Sequence, residues 1–286
     1  MDVRLSAEQR ALRDAVAQLV DRLGPSSVAD LDDTERRAKL DAAVAAAGWR
    51  ELRAPDDAGQ PWSSAVEPAL VAEELGRGLA DTSYIGPVLA ADLSRRSGAS
   101  FQAATGTAGA VVDLTGSFAP VEGEAEALSA LPPDDRARYL ALGLALTSAD
   151  LVGVMRGAIQ LAVDYAGVRQ QYGAYIGSFQ AVQHLLADAQ VAMEGSRSIA
   201  LHAAWAVDEL PADEALTAAA MSKAYCARAA RPVCEASIQV HGGIGNTWEC
   251  IAHVFLRRAL VATEWFGGVG TNLDRVLVGC GIGAGA

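Results

Sequence analysis

Apolar residues recur at helical spacing from the first residues of the chain onward. The first set is spaced by three or four positions: Leu12, Val16, Leu19, Val20 and Leu23. Ser6 and Gln9 stand three residues apart just before this set, an arrangement typical of a capping box at a helix start. Gly24 and Pro25 follow it and are expected to end the helix. The pattern therefore predicts an opening amphipathic helix.

The same spacing predicts helices along most of the remaining sequence. We expect them over residues 34–47, 66–78, 83–97, 135–171, 179–208, 212–240, 247–262 and 271–278. Small residues line the long helices: Ala187, Ala192, Ser196, Ala200, Ala203 and Ala204. Small side chains let helix axes approach closely, as in an antiparallel four-helix bundle. The sequence thus predicts a mainly α protein.

Residues 100–124 interrupt the helical pattern with glycines, threonines and the short alternating run 110–115. This stretch is expected to form at most two or three strands, or a loop. We divide the chain into an N-terminal helical domain over 1–99, a β remnant or linker over 100–134, and a C-terminal four-helix bundle over 135–286. This is a division by pattern and composition alone.

Composition and charge exclude several classes of function. The net charge is −12, and the sequence lacks the cluster of lysines and arginines that phosphate contacts in nucleic-acid binding require. Apolar runs such as 140–146 are too short to cross a bilayer, and the opening residues are unlike a signal peptide. The four cysteines show no CxxC spacing, and no metal-ligand pattern is present. We expect a cytoplasmic protein without metal, membrane or nucleic-acid partners.

Two glycine-bounded motifs carry the candidate chemistry. The first contains Arg169, Tyr172, Gly173 and Gln180, and the second contains Gln239, Gly242, Gly243 and Gly245. An arginine can pair with a pyrophosphate, a tyrosine can pack on a nucleotide, and bare glycine backbone permits close approach. Taken alone, Arg169 could be a helix-end cation favoured by the helix dipole, and the glycines a helix stop. A Rossmann site is disfavoured because the glycines follow a helix rather than a strand.

The two motifs together resemble the acyl-CoA dehydrogenase family. The family pattern is Arg-x-x-aromatic-Gly with a glutamine eleven residues after the arginine, then Gln-x-x-Gly-Gly-x-Gly, and this chain has both in order. The resemblance implies a helical domain, a β-domain and a four-helix bundle, with FAD as cofactor and an acyl-CoA as substrate. It also implies that one subunit holds the ADP half of the FAD bound mainly by its neighbour. The residues implied are Arg169, Tyr172, Gln180, Gln239, Gly242 and Gly243.

The chain departs from the family in two respects. Residues 100–134 contain nothing like the family segment that holds the flavin ring and the acyl-CoA. Counting from Gly242, the family's catalytic glutamate falls on Phe266, and the alternative base position of some relatives falls on Gly143. Glu264, two residues before Phe266, and Asp150 are the nearby carboxylates and the candidate bases. We expect both to be structural or interfacial, with Phe266 filling a vacated active site.

These departures favour a shortened subunit of a heteromeric acyl-CoA dehydrogenase. The chain is similar to the β-type subunits of α2β2 enzymes in actinobacterial steroid side-chain degradation. A full-length partner would supply the ring site, the acyl-CoA groove and the base. One alternative is a flavin-free homo-oligomeric dehydratase or isomerase that uses Glu264 or Asp150. Another is a scaffold without catalytic activity on the same fold.

Overall fold

The first helix has the start and end that its sequence predicts. The computed structural model of the chain describes residues 4–104, 112–116 and 118–282. Helix α1, Ala7–Leu23, opens with a complete capping box: the Gln9 backbone N–H donates to the Ser6 hydroxyl at 3.1 Å, and the Ser6 N–H donates to the Gln9 side chain at 3.0 Å. Gly24 caps the C-terminal end.

Three further helices complete the N-terminal part of the fold. They are α2, Thr34–Ala46, α3, Val66–Arg77, and α4, Ile85–Ser97. Gly48 and Gly98 follow α2 and α4 at φ +69° and +72°, a left-handed conformation that glycine adopts without steric cost. All three helices were predicted within two residues.

The bundle is built from three long helices and two shorter ones. Their bounds are Pro133–Val168 for α6, Gln180–Glu209 for α7, Ala212–His241 for α8, Ala252–Glu264 for α9 and Val269–Gly279 for α10. The predicted helix over 247–262 begins five residues later than expected. A 3₁₀ turn, Gly242–Asn246, comes first, and the Thr247 hydroxyl donates to its Ile244 carbonyl at 2.8 Å.

The stretch 100–134 differs from its prediction. Its described residues form an isolated bridge between Ala103 and Val121 but no named strand. Residues 110 and 111 of the predicted alternating run 110–115 lie outside the described residues. A short helix, α5, Glu124–Ala130, was not predicted. With seven residues, it is too short to show a helical period.

A small antiparallel hairpin lies between α6 and α7. It pairs β1, Gln170–Gln171, with β2, Ala174–Tyr175. Helix α6 therefore ends three residues before its predicted end at 171, because the backbone of 170 and 171 pairs across the hairpin turn. This is the two-stranded sheet of the described part of the chain.

Helix α6 forms the centre of the core. Its most apolar 18-residue window has a mean hydropathy of 1.4, and 89% of that window is buried inside the protein. By length and composition this helix could cross a membrane, although the sequence analysis found only short apolar runs such as 140–146. Its burial inside the protein is typical of the core helix of a globular domain. One cluster of buried side chains joins α1–α4 to α6, α7 and α8. Because this cluster crosses both proposed boundaries, the division at residues 99 and 134 stays a prediction.

Candidate functional site

The two motifs lie at the same end of the bundle. The ring of Tyr165, near the end of α6, stacks on His241 at the end of α8, with centroids 4.5 Å apart and an interplanar angle of 24°. The Ser237 hydroxyl donates to the Ala158 carbonyl at 2.7 Å, and the His241 Nδ1 lies 2.8 Å from the Ser237 carbonyl. These contacts fix the ends of α6 and α8 side by side.

The first motif is displayed on the hairpin and the start of α7. Arg169 caps α6 through its backbone N–H, which donates to the Tyr165 carbonyl at 2.9 Å. Tyr172 lies in the hairpin turn at φ +53° with 96% of its surface exposed, and its ring centroid is 6.5 Å from that of Phe179. Gln180 is the first residue of α7. Arg169 and Gln180 are also exposed.

The second motif presents bare backbone to solvent. Gly242 ends α8 at φ +65° and ψ −143°, a conformation that a side chain would strain. A Cβ built on Gly242 or Gly243 meets nothing within 4 Å, so both face open space. A Cβ on Gly245 would lie 2.7 Å from the Ile238 carbonyl, and this glycine serves the turn itself. Gln239 is exposed two residues before the end of α8.

We define the nucleotide-contact cluster as Arg169, Tyr172, Gln180, Gln239, Gly242 and Gly243. An apolar cluster beneath it packs Ile176 and Val182 from the first segment with Val240 from the second. Within the described part of the chain, Arg169 forms no salt bridge, and its guanidinium is available to an anion. A cation, an exposed ring, two amides and bare backbone fit the adenylate and pyrophosphate half of a flavin nucleotide.

The two positions that correspond to the family base meet in space. A Cβ built on Gly143 of α6 would lie 2.7 Å from Cζ of Phe266, and all three of its nearest atoms belong to that ring. Phe266 has φ +60°. The ring of its neighbour Trp265 packs edge-to-face against the ring of Phe118, with the ring centroids 4.4 Å apart. The aromatic corner therefore fills the space that a base at either position would need.

A carboxylate that the sequence did not reveal lies beside this corner. Glu124, at the start of α5, lines a cavity of about 250 Å³ together with Trp265 and Phe266. The Tyr139 hydroxyl donates to its Oε1 at 2.7 Å. Glu124 falls in the stretch 100–134, where no motif or periodicity marked it.

Glu264 is an exposed residue at the end of α9. Its carboxylate oxygens lie 2.9 and 3.0 Å from the point where a Cβ on Gly268 would stand, at the start of α10. A negative charge is favourable at a helix N-terminus. The position supports a structural role for this side chain.

Asp150 is buried in an ion pair. The Arg258 guanidinium contacts both its carboxylate oxygens, with Nε 3.3 Å from Oδ2, and its Nη1 donates to the Ala80 carbonyl at 2.9 Å. Burial raises the pKa of Asp150, and Arg258 opposes that rise. The adjacent cavity has a volume of about 10 Å³, room for about one water. An acyl-CoA could not reach this carboxylate.

The comparisons with known proteins assign the family. The model of the acyl-CoA dehydrogenase N-terminal domain matches residues 6–104, and that of the C-terminal domain matches residues 138–277. The chain belongs to the acyl-CoA dehydrogenase family, a family of oxidoreductases. The resemblance and the mainly helical fold class predicted from the sequence are thereby confirmed.

Two mycobacterial relatives show how the match is distributed. IpdE2 of Mycobacterium tuberculosis, an acyl-CoA dehydrogenase, is 29% identical over 301 residues, covering 88% of this chain and 91% of that protein. The acyl-CoA dehydrogenase FadE34 of the same organism is 41% identical over 135 residues. The matched residues make up 47% of this chain and 19% of FadE34.

Two solved structures share the fold. A chain of the ChsE4-ChsE5 complex from Mycobacterium tuberculosis superposes with a TM-score of 0.79 at 22% identity, covering 98% of this chain and 99% of that chain. The Tcur3481-Tcur3483 steroid ACAD gives a TM-score of 0.78 at 18% identity, with the same coverage. At these identities the likeness establishes the architecture alone.

Proposed function

We propose that this chain is a shortened subunit of a heteromeric, FAD-dependent acyl-CoA dehydrogenase. The supporting observation is a combination of two features. The nucleotide-contact cluster is exposed at one end of the bundle, while Phe266 and Gly143 occupy the two base positions with an aromatic ring and no side chain. The chain keeps groups for the nucleotide and has no carboxylate at either of the two base positions.

Each group of the cluster has a defined task in this proposal. Arg169 holds the pyrophosphate charge, Tyr172 packs against the nucleotide, and Gln180 and Gln239 donate or accept amide hydrogen bonds. The backbone of Gly242 and Gly243 allows close approach. Bound FAD would accept the hydride from the β-carbon, and a carboxylate of the full-length partner would accept the α-proton of the acyl-CoA, which together would give the α,β-unsaturated thioester.

The relatives support the partner and the substrate class. One structural neighbour is a complex of two named chains, ChsE4 and ChsE5, and another is described as a steroid ACAD. By analogy we propose an α2β2 assembly with a full-length acyl-CoA dehydrogenase homologue. Its substrate would be the CoA thioester of a steroid side chain, and its location the cytoplasm.

The test measures flavin content with and without a partner. The chain purified alone is expected to bind FAD weakly, whereas co-expression with a full-length homologue restores a flavin-loaded complex. Arg169→Ala should weaken FAD retention in that complex by about tenfold or more, because a charge-assisted bond is lost. Arg22→Ala, a change to an exposed arginine of α1, is the control.

Two results would contradict the proposal. One is tight, stoichiometric FAD on the isolated chain. The other is full flavin retention by the Arg169→Ala complex. Glu264→Gln in the complex is expected to leave turnover unchanged, whereas a loss of turnover there would favour the flavin-free alternative.

A further inference from the structure

Trp248 is a large apolar side chain that the fold leaves in solvent. It lies between the 3₁₀ turn after α8 and the start of α9, with 64% of its surface exposed. Arg257 of α9 lies over one face of the indole, with its guanidinium carbon 5.5 Å from the ring centroid. Arg257 forms no salt bridge with any residue that the structure describes. We define the Trp248 surface as Ile244, Trp248 and Arg257.

His253 supplies a second observation, because it is buried without a hydrogen-bond partner. The residue is 8% exposed, and neither of its ring nitrogens has a partner among the described residues. In a neutral imidazole one nitrogen donates and the other accepts. The Trp248 indole packs edge-on against this ring, with the centroids 5.1 Å apart. An unsatisfied polar ring therefore lies next to the exposed indole, where a polar group of another molecule would stabilise it.

The Trp248 surface adjoins the nucleotide-contact cluster. Ile244, the residue after Gly243, is also exposed. Ile238 in the last turn of α8 packs with Cys250, and this contact holds the segment of Trp248 against the helix end that presents the second motif. Trp248 follows Gly243 by five residues, so their Cα atoms are at most about 18 Å apart. A protein interface of about 800 Å² per partner is about 30 Å across, so a subunit seated on Gly243 can also cover the indole.

The chemistry of the Trp248 surface is that of a protein interface. Tryptophan and arginine are over-represented among the residues that dominate binding energy in such interfaces. The indole can fill an apolar pocket of a partner at low conformational cost, and the guanidinium can pair with a carboxylate. Two copies of this chain carry a net charge of −12 each and repel one another, which disfavours a second copy as the occupant.

We propose that the Trp248 surface is a docking site for the full-length acyl-CoA dehydrogenase subunit. This inference rests on the proposed function, in which that subunit brings its FAD to the adjoining nucleotide-contact cluster. The indole enters an apolar pocket of the partner, and Arg257 pairs with a carboxylate there. A polar group of the partner forms the hydrogen bond that His253 lacks in the chain alone, after the small side-chain shift that is common at interfaces.

Mass photometry of the co-purified complex over a dilution series tests the docking site. Excess FAD is present throughout, so that subunit association is measured with the nucleotide sites filled. Trp248→Ala should raise the Kd between the subunits at least tenfold, a loss typical of a central interface tryptophan. Trp62→Ala is the matched control and should leave the Kd unchanged, because Trp62 is 68% exposed in the segment before α3.

His253→Phe separates docking from folding. This change removes a buried polar group that has no partner, so the thermal stability of the isolated chain should stay the same or rise. The Kd between the subunits should rise several-fold, because the hydrogen bond to the partner is lost. A histidine with only a structural role would instead lower the stability of the chain and leave the Kd unchanged. Circular dichroism of each variant verifies the fold.

The outcomes distinguish this inference from the proposed function. An unchanged Kd for Trp248→Ala, with the flavin-loaded complex still formed, would overturn the docking site alone. Loss of flavin from the assembled Trp248→Ala complex would make the indole a nucleotide contact and would also overturn it. Self-association of the isolated chain that Trp248→Ala abolishes would assign the surface to a second copy. No complex of the unmodified chain with a full-length homologue would overturn both proposals.

Discussion

Lys223 lies in an environment that changes its ordinary acid–base chemistry. It is completely buried on α8, and its ammonium group donates to the carbonyl of Ala262 near the end of α9. Burial lowers its pKa from 10.5 to about 7, opposed by Cys226 on α8, Asp150 on α6 and Glu264 on α9. The cost of burying a charge exceeds the attraction of these neighbours.

This lowered pKa makes stability depend on pH. Above pH 7 the folded chain loses the Lys223 proton, while the unfolded lysine keeps it up to its ordinary pKa of 10.5. The unfolded state then binds more protons, so the free energy of unfolding rises with pH, by up to about 1.4 kcal/mol per pH unit. Lys223→Met should abolish this rise in urea unfolding between about pH 7 and 8.5, below the ordinary cysteine range.

Lys39→Met is the matched control, because Lys39 is exposed on α2. That variant should retain the full pH dependence of the unmodified chain. Identical slopes for the unmodified chain and Lys223→Met would show that this lysine is not the group responsible.

At the scale of single residues, the exposed motif residues could be predicted from the sequence, whereas the buried charged residues could not. Arg169, Tyr172 and Gln180 could be predicted because their spacing along the chain is itself the signal. Lys223 gave no signal, since a lysine in a helix is ordinarily exposed. Its burial depends on α9 crossing above it. Glu124 was missed for a similar reason, because its pocket is made by residues distant in sequence.

At the scale of elements, helices α3 and α6 pack with their backbones in direct contact. A Cβ built on Gly153 of α6 would lie 1.9 Å from the Glu73 carbonyl, and one on Gly157 would lie 2.2 Å from the Arg77 carbonyl. The two backbones meet at glycines because no side chain fits between them. The contact joins the N-terminal helices to the bundle.

Two alanine substitutions on α6 separate packing from helix propensity. Gly153→Ala should lower the free energy of unfolding by about 1–3 kcal/mol, because the added methyl group forces the two backbones apart. Gly167→Ala should be neutral or stabilising by up to about 1 kcal/mol, since nothing lies within 4 Å of its Cβ position. Chemical unfolding measures both, and equal stabilities of the two variants would contradict this account of the crossing.

The long helices could be predicted because their periodic pattern is repeated over many turns. Their ends were less accurate where another interaction competes. Helix α6 ends at Val168 because Gln170 and Gln171 pair with the second strand of the hairpin instead of continuing the helix. Gly173 lies in the hairpin turn at φ +76°. Helix α9 starts late because the 3₁₀ turn after α8 precedes it. Such competition depends on contacts that a local pattern does not contain.

At the scale of the whole molecule, the proposal predicts a definite flavin count. If the partner holds each ring and this chain contacts each adenylate, the complex has one FAD for every pair of chains. Native mass spectrometry of the co-expressed complex should therefore give two flavins per α2β2 assembly. One flavin per chain, or a flavin-loaded assembly of this chain alone, would contradict shared binding.

The family and the helical architecture could be predicted from two motifs and a repeated helical pattern. The resemblance also placed Phe266 and Gly143 at the two positions where the family carries its catalytic base. Only the structure shows that these two positions lie in contact. A pocket of about 510 Å³ between α1, the start of α3 and α7 was not predicted. It is formed by residues near 5, 66 and 201, whose juxtaposition depends on how three helices pack.

The outward-facing turn that carries Tyr172 has a thermodynamic consequence under the proposed function. If neither polypeptide surrounds the dinucleotide alone, cofactor loading and heteromer formation become one linked equilibrium. Riboflavin starvation would then loosen the pairing of the subunits, and a surplus of either subunit would raise the loaded fraction of the other. Supply of the vitamin would regulate the quaternary state as well as the redox capacity.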